Sequence, residues 1–157
     1  MARNVERPLV VRVRPSRRAR LYAEVHVYSS RRAFHHAVKS AGRRDRTRGL
    51  VGRCIGVTER VVGTGRRTGL FAVVQLSRDH LGVSVVSHEL FHATIRWAHR
   101  VGIQSIPTNL SLSNSTARTP AAFLTAQRTP EERCASAHDE MMRQAINAFW
   151  RRGLYTR

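Results

Sequence analysis

The stretch VSVVSHELFHATI, residues 83–95, carries a single charged side chain, Glu89, in a chain with 28 Lys and Arg and 10 Asp and Glu. A segment so poor in charge belongs against a core. Val85, His88, Glu89, His92, Ile95 and then Ala98 or His99 recur at helical spacing, and Gly102 follows as a stop. The sequence therefore predicts a helix over 83–102 around which the remaining elements pack.

That helix contains the pattern HExxH as His88-Glu89-Leu90-Phe91-His92. Side chains four apart share a helical face, so both imidazoles can converge on one metal ion from the same side. Glu89 lies beside such a site without having to bind it. From there it can accept a proton from a zinc-bound water and pass it to a leaving group. With eight His and seven Glu in 157 residues, about 0.02 such matches arise by chance. The alternative reading is two histidines on an ordinary amphipathic helix.

Around this helix the chain reads as α+β. Residues 8–14 and 20–28 look like strands, the second with Leu21, Ala23, Val25 and Val27 alternating against Tyr22, Glu24, His26 and Tyr28. Ser29-Ser30 precede a short helix ending at Gly42. A basic loop (43–49) leads to alternating apolar positions at 50–62, broken by Gly52 and Gly56, and a hairpin-like turn at 63–69. LFAVVQL (70–76) is a further strand. Residues 103–120 form a polar loop with two prolines, with a short helix expected near 120–127. A second long helix covers 131–153, with Thr129 as N-cap, Pro130 at its first position and Glu132 placed to close a capping box. These elements fit one domain over 1–157, with 1–14 and 103–120 as candidate flexible segments and a short, mostly antiparallel sheet.

The HELFHAT segment, followed by a later helix that opens with acidic residues, resembles the gluzincin-like arrangement of HExxH metallopeptidases. It is most similar to small zincin-like peptidases of phages and mobile elements, distantly related to the ImmA/IrrE peptidases. The resemblance covers residues 70–98 and 130–150. It implies a zinc-dependent hydrolase with His88 and His92 as ligands, Glu89 as general base and a peptide or protein as substrate. It also implies a third ligand at Glu132 or Glu131. Glu132 shares a face with Ala135, Asp139, Met142 and Ile146, and Glu131 with Cys134, His138 and Ala145; the first is favoured here. In zincin-like proteins the strand beside the metal helix is a sheet edge, so 70–76 is expected either to offer its edge to an extended peptide or to be an ordinary core strand.

The other histidines fit the site less well. The metzincin pattern fails, because residues 95 and 98 are Ile and Ala. His99 lies about 10 Å along the axis from His92. His80 reads as a loop residue, His35 and His36 as surface, and His138 as surface or packing rather than a proton donor in the cleft.

The formal net charge of +18 attracts polyanions. Arginines at 17, 18 and 20, at 43, 44, 46 and 48, and at 66 and 67 are candidate phosphate contacts, with no helix-turn-helix, zinc-finger or stacking motif to read bases. Two further readings thus stand beside the hydrolase. One is a nucleic-acid-associated protein with a structural zinc site, the other a partner-binding module with a non-catalytic one. Cys54 and Cys134 have no metal or redox spacing, and no apolar run reaches the length of a membrane span. The expectation is a cytoplasmic protein without a membrane partner.

Overall fold

The structure, a computed structural model, describes residues 7–40, 52–56, 69–103 and 129–155. In chain order these form β1 (Leu9–Val13), β2 (Tyr22–Tyr28), α1 (Arg31–Ser40), β3 (Gly52–Gly56), β4 (Leu70–Ser77), a 3-10 turn (Arg78–His80), α2 (Val83–Arg100) and α3 (Pro130–Arg151). The described residues form a small α+β fold with a four-stranded mixed sheet and three helices. The segments expected at 43–49 and 120–127, and most of those at 63–69 and 103–120, lie outside the described residues.

The strand order is β1-β2-β4-β3. β1 runs antiparallel to β2 and β3 antiparallel to β4, while the central pair β2–β4 is parallel, with Val25 opposite Val74 and Val27 opposite Leu76. LFAVVQL is therefore an interior strand, and the expectation that it offers a free edge is corrected: β2 and β3 occupy both its sides. Its near-continuous apolar run is the signature of a strand buried on both faces. The edge beside α2 is β3, which among the described residues pairs only with β4.

Alternation along each strand sorts the two faces. Val11, Val13, Ala23, Val25, Val27, Ala72, Val74 and Leu76 face α2 and α3, where Val86, Leu90, Ala93, Met141, Ala145 and Phe149 close the main core. On the opposite face Tyr28 packs with Phe34 and Val38 of α1, and the Gln75 amide donates to the Tyr28 hydroxyl at 3.0 Å. Glu24, also on that face, is buried between His26 at 3.1 Å and Arg12 at 3.4 Å.

The helix ends explain the boundaries. Ser30 caps α1 through its hydroxyl, which accepts from the Ala33 N–H at 3.2 Å. At the end of α2, Gly102 takes φ +75°, Gly102 N–H bonds to the His99 carbonyl and Ile103 N–H to the Ala98 carbonyl. This is a Schellman turn, sealed by the apolar contact of Ile103 with Ala98. α3 ends the same way at Gly153, with φ +66° and Leu154 N–H bonded to the Phe149 carbonyl. Its start is the expected capping box: Thr129 Oγ1 accepts from Glu132 N–H at 3.2 Å, and Glu132 Oε2 accepts from Thr129 N–H at 3.0 Å.

Side chains of α3 close the outer side of the β1 end of the sheet. The Gln144 amide accepts from Arg14 N–H at 2.9 Å and donates to Arg14 carbonyl at 3.2 Å, while Arg152 donates to the Val10 carbonyl at 3.3 Å. The Tyr155 hydroxyl donates to the Leu81 carbonyl at 2.7 Å, tying the end of the described chain to the residues that open α2. No described helix is long and apolar enough to cross a membrane.

Candidate metal centre

Helix α2 carries both histidines of the pattern on its exposed side and turns Glu89 inward. Val86, Leu90 and Ala93 anchor it to the sheet with no measurable exposure, and His88 and His92 follow from that anchoring by helical spacing. Their Nε2 atoms lie 3.2 Å apart, with the rings at 85° to one another. Zinc–imidazole bonds of about 2.0–2.1 Å in tetrahedral geometry place two ligand nitrogens about 3.3 Å apart. The observed separation is close to that value, and it is equally that of a hydrogen bond from one ring to the other. Burial lowers the pKa of His92, helped by His88 and Arg96, and so favours the neutral imidazole that a metal requires.

Glu89 is 7% exposed and leans against the edge strand. A Cβ added at Gly52 would lie 2.8 Å from Glu89 Cγ and 3.0 Å from Oε1, so only glycine leaves room for the carboxylate there. Burial raises the Glu89 pKa, and neighbouring His88 partly offsets this. Burial thus makes this carboxylate a stronger base than an exposed one. Cys54, two residues along β3, has its thiol pushed up to about 12 by burial first and by the Glu89 charge second.

The two glutamates at the start of α3 are both exposed. The buried stripe of α3 runs through Cys134, Ala137, His138, Met141, Ala145 and Phe149. This is the stripe headed by Glu131, so the face argument that favoured Glu132 is corrected. Cys134 packs against Ala98 and Ile103, six residues past His92 and about 9 Å further along α2. Among the described residues no third His, Cys, Asp or Glu joins the histidine pair. Most other described carboxylates are committed elsewhere: Glu24 to Arg12 and His26, Asp79 to the Arg31 N–H, and Glu140 to Arg143. Residues 104–128 contain no His, Cys, Asp or Glu at all, so that long polar stretch supplies no side chain of these types.

His138, read from sequence as surface or packing, is buried. Its Nε2 lies 3.2 Å from the Ser87 carbonyl oxygen and 3.4 Å from the Ser87 hydroxyl, which assigns Nε2–H as donor to the carbonyl. It pins α3 to the residue preceding His88. Its partner is 51 positions away, so no local signal announces it. Gly52 did have a signal, since a glycine inside a strand pattern marks a close approach. His35, His36, His80 and His99 stay outside the pair.

No protein-family model, curated protein or solved structure matches this chain.

Proposed function

We propose that the chain is a zinc-dependent hydrolase of the zincin-like type, acting on peptide or protein. The observation that carries this reading is the His88–His92 pair, with Nε2 atoms at the spacing of two ligands on one ion, beside a buried glutamate that burial makes more basic. His88 and His92 hold the metal, and the third ligand is proposed on the resemblance alone, at Glu132, whose carboxylate also caps α3, or at Glu131, which heads the buried stripe.

When bound, zinc supplies Lewis acidity to the substrate carbonyl and to the attacking water. Glu89 removes the proton from that water and delivers it to the departing amide nitrogen, so the carboxylate ends the cycle as it began. The outer edge of β3 offers main-chain N–H and C=O groups to an extended peptide. Such pairing is independent of side-chain sequence and would bring a scissile bond along the strand that carries Gly52.

The test is zinc content by elemental mass spectrometry on protein purified without a histidine tag, together with hydrolysis of unfolded protein substrates. We expect close to one zinc per chain in the wild type and in Glu89→Gln, with no hydrolysis in the latter. Wild-type hydrolysis in Glu89→Gln, or no zinc uptake by the folded wild type, would sink the reading.

A further inference from the structure

On the far side of the sheet from β3, β1 and α3 enclose a groove of ≈ 670 Å³. Among the described residues Arg12, Arg14, Arg17, Arg143, Arg151 and Arg152 line it, and Glu140 is the one acidic lining residue. All six arginines are exposed. Glu140 does little to neutralise the groove beyond its own charge: its carboxylate is held by Arg143 through contacts of 2.6 and 3.0 Å. Arg12 is itself paired with Glu24 on the α1 face of the sheet, so among the described residues a net of four positive charges remains in the groove. Sequence spacing does not foretell this cluster, because the first three arginines and the last three are more than 120 positions apart.

We infer that this groove binds the phosphodiester backbone of nucleic acid. The argument has three parts. Charges of one sign in a cleft with low-dielectric walls focus their field and concentrate a polyanion. Guanidinium groups retain several donors even when one is used, as Arg151 uses Nε for the Asn147 carbonyl and Arg152 uses Nη1 for that of Val10. And the groove has length: Arg143 and Arg151 are two turns apart on α3, about 12 Å, which spans three to four phosphates at about 3.4 Å per nucleotide of one strand.

The groove is shallow and open and runs along α3, an outline that suits a strand laid along it; a flat anionic membrane is the competing occupant that the vesicle arm of the experiment tests. Among the described residues no aromatic side chain lines the groove, so they offer no platform for stacking bases and recognition is of the backbone, independent of sequence. β1 and β3 are three strand spacings apart, about 14 Å, so a strand bound at the β1 edge leaves the histidine pair near the β3 edge open. The inference stands apart from the hydrolase reading: backbone binding is unchanged by Glu89→Gln and by removal of metal.

The experiment is a salt titration of binding to fluorescent duplex DNA, single-stranded DNA and single-stranded RNA, with phosphatidylglycerol vesicles as a separate arm. The test variant is Arg14→Ser/Arg17→Ser/Arg151→Ser, which spares the Arg143–Glu140 pair and the backbone bonds of Arg14. The control is Arg31→Ser/Arg32→Ser/Arg78→Ser, equal in charge and away from the groove. We expect the groove variant to lose at least about tenfold in affinity near 0.1 M salt, and its log–log salt slope on duplex DNA to flatten by about two to three. The control should keep the wild-type slope, and the triple Arg→Lys variant of the groove should keep most of the affinity. Equal losses in groove and control variants would reduce the effect to net charge and overturn the inference. So would equal losses in the Ser and Lys triples, binding of vesicles but of no oligonucleotide, or no binding at all.

Discussion

Glu89 and Gly52 are 37 positions apart in sequence, yet the glutamate side chain lies against the bare Cα of the glycine, where an added methyl group would approach Cγ to 2.8 Å. Leu76 Cδ2 stands 3.1 Å from the same point, so the methyl has no room to escape into the core. We expect Gly52→Ala to push the Glu89 carboxylate off its position and lower hydrolysis by at least about tenfold, at an overpacking cost of about 1–3 kcal/mol. Zinc content should stay at the wild-type level. Kinetics, melting temperature and metal content measured together check this; wild-type turnover would show that the carboxylate is not positioned by β3.

Glutamine can replace glutamate in a capping box, which separates two roles at the start of α3. If Glu132 is the third ligand, Glu132→Gln lowers zinc affinity by about 10- to 100-fold, and the melting temperature without metal barely moves. Glu131→Gln should leave affinity unchanged. Competition with a chromogenic chelator reads both variants, and the reverse ranking assigns the ligand to Glu131.

The thiol of Cys54, held up to about 12, is ionised in about one molecule in ten thousand at pH 8, against about one in four for an ordinary thiol. Burial also raises the Cys134 thiol. Chelator-treated native protein should therefore resist iodoacetamide at pH 8, and both residues should label promptly in guanidinium chloride. Glu89→Gln removes one of the two causes that raise Cys54 and should speed its labelling. Prompt native labelling of Cys54 would contradict this packing of β3 against α2.

Glu140 has its pKa lowered, first by the hydrogen bond from Arg143 and then by that from Gln144. A carboxylate whose folded value lies below its unfolded one adds stability that is fully present above the unfolded pKa, about 4.3. That contribution is lost as pH falls through the folded value. Glu140→Gln should melt slightly lower than wild type at pH 7, and the gap should close below about pH 4. The effect is small because the ion pair is solvated. A gap that persists in acid would trace the loss to packing rather than charge.

Both long helices and their caps were legible because their determinants are local: the apolar spacing around His88 and His92, Gly102 after α2, and Thr129, Pro130 and Glu132 before α3. Residues 9–13, within the leading segment considered as flexible, form β1 in register with β2. The order of strands was not legible. LFAVVQL has an interior strand's composition, but which strands flank it depends on a parallel pairing between segments about 50 residues apart. The same holds for His138, whose role rests on Ser87, and for the basic groove, assembled from both ends of the chain. Glu131 and Glu132 are adjacent, and the choice between their faces turned on which stripe of α3 is buried, something periodicity alone left open.

The Gln144 clamp on Arg14, with the Arg152 contact at Val10, has a consequence for self-association. A sheet that can accept new strands at both ends can grow without limit, copy upon copy. Here the β1 end is stoppered by side chains of α3, while the β3 end has no strand partner among the described residues. Two copies joined through β3 would present β1 at each outer end, where main-chain groups of Val10 and Arg14 are already engaged by side chains from α3 and its C-cap, which disfavours further strand addition.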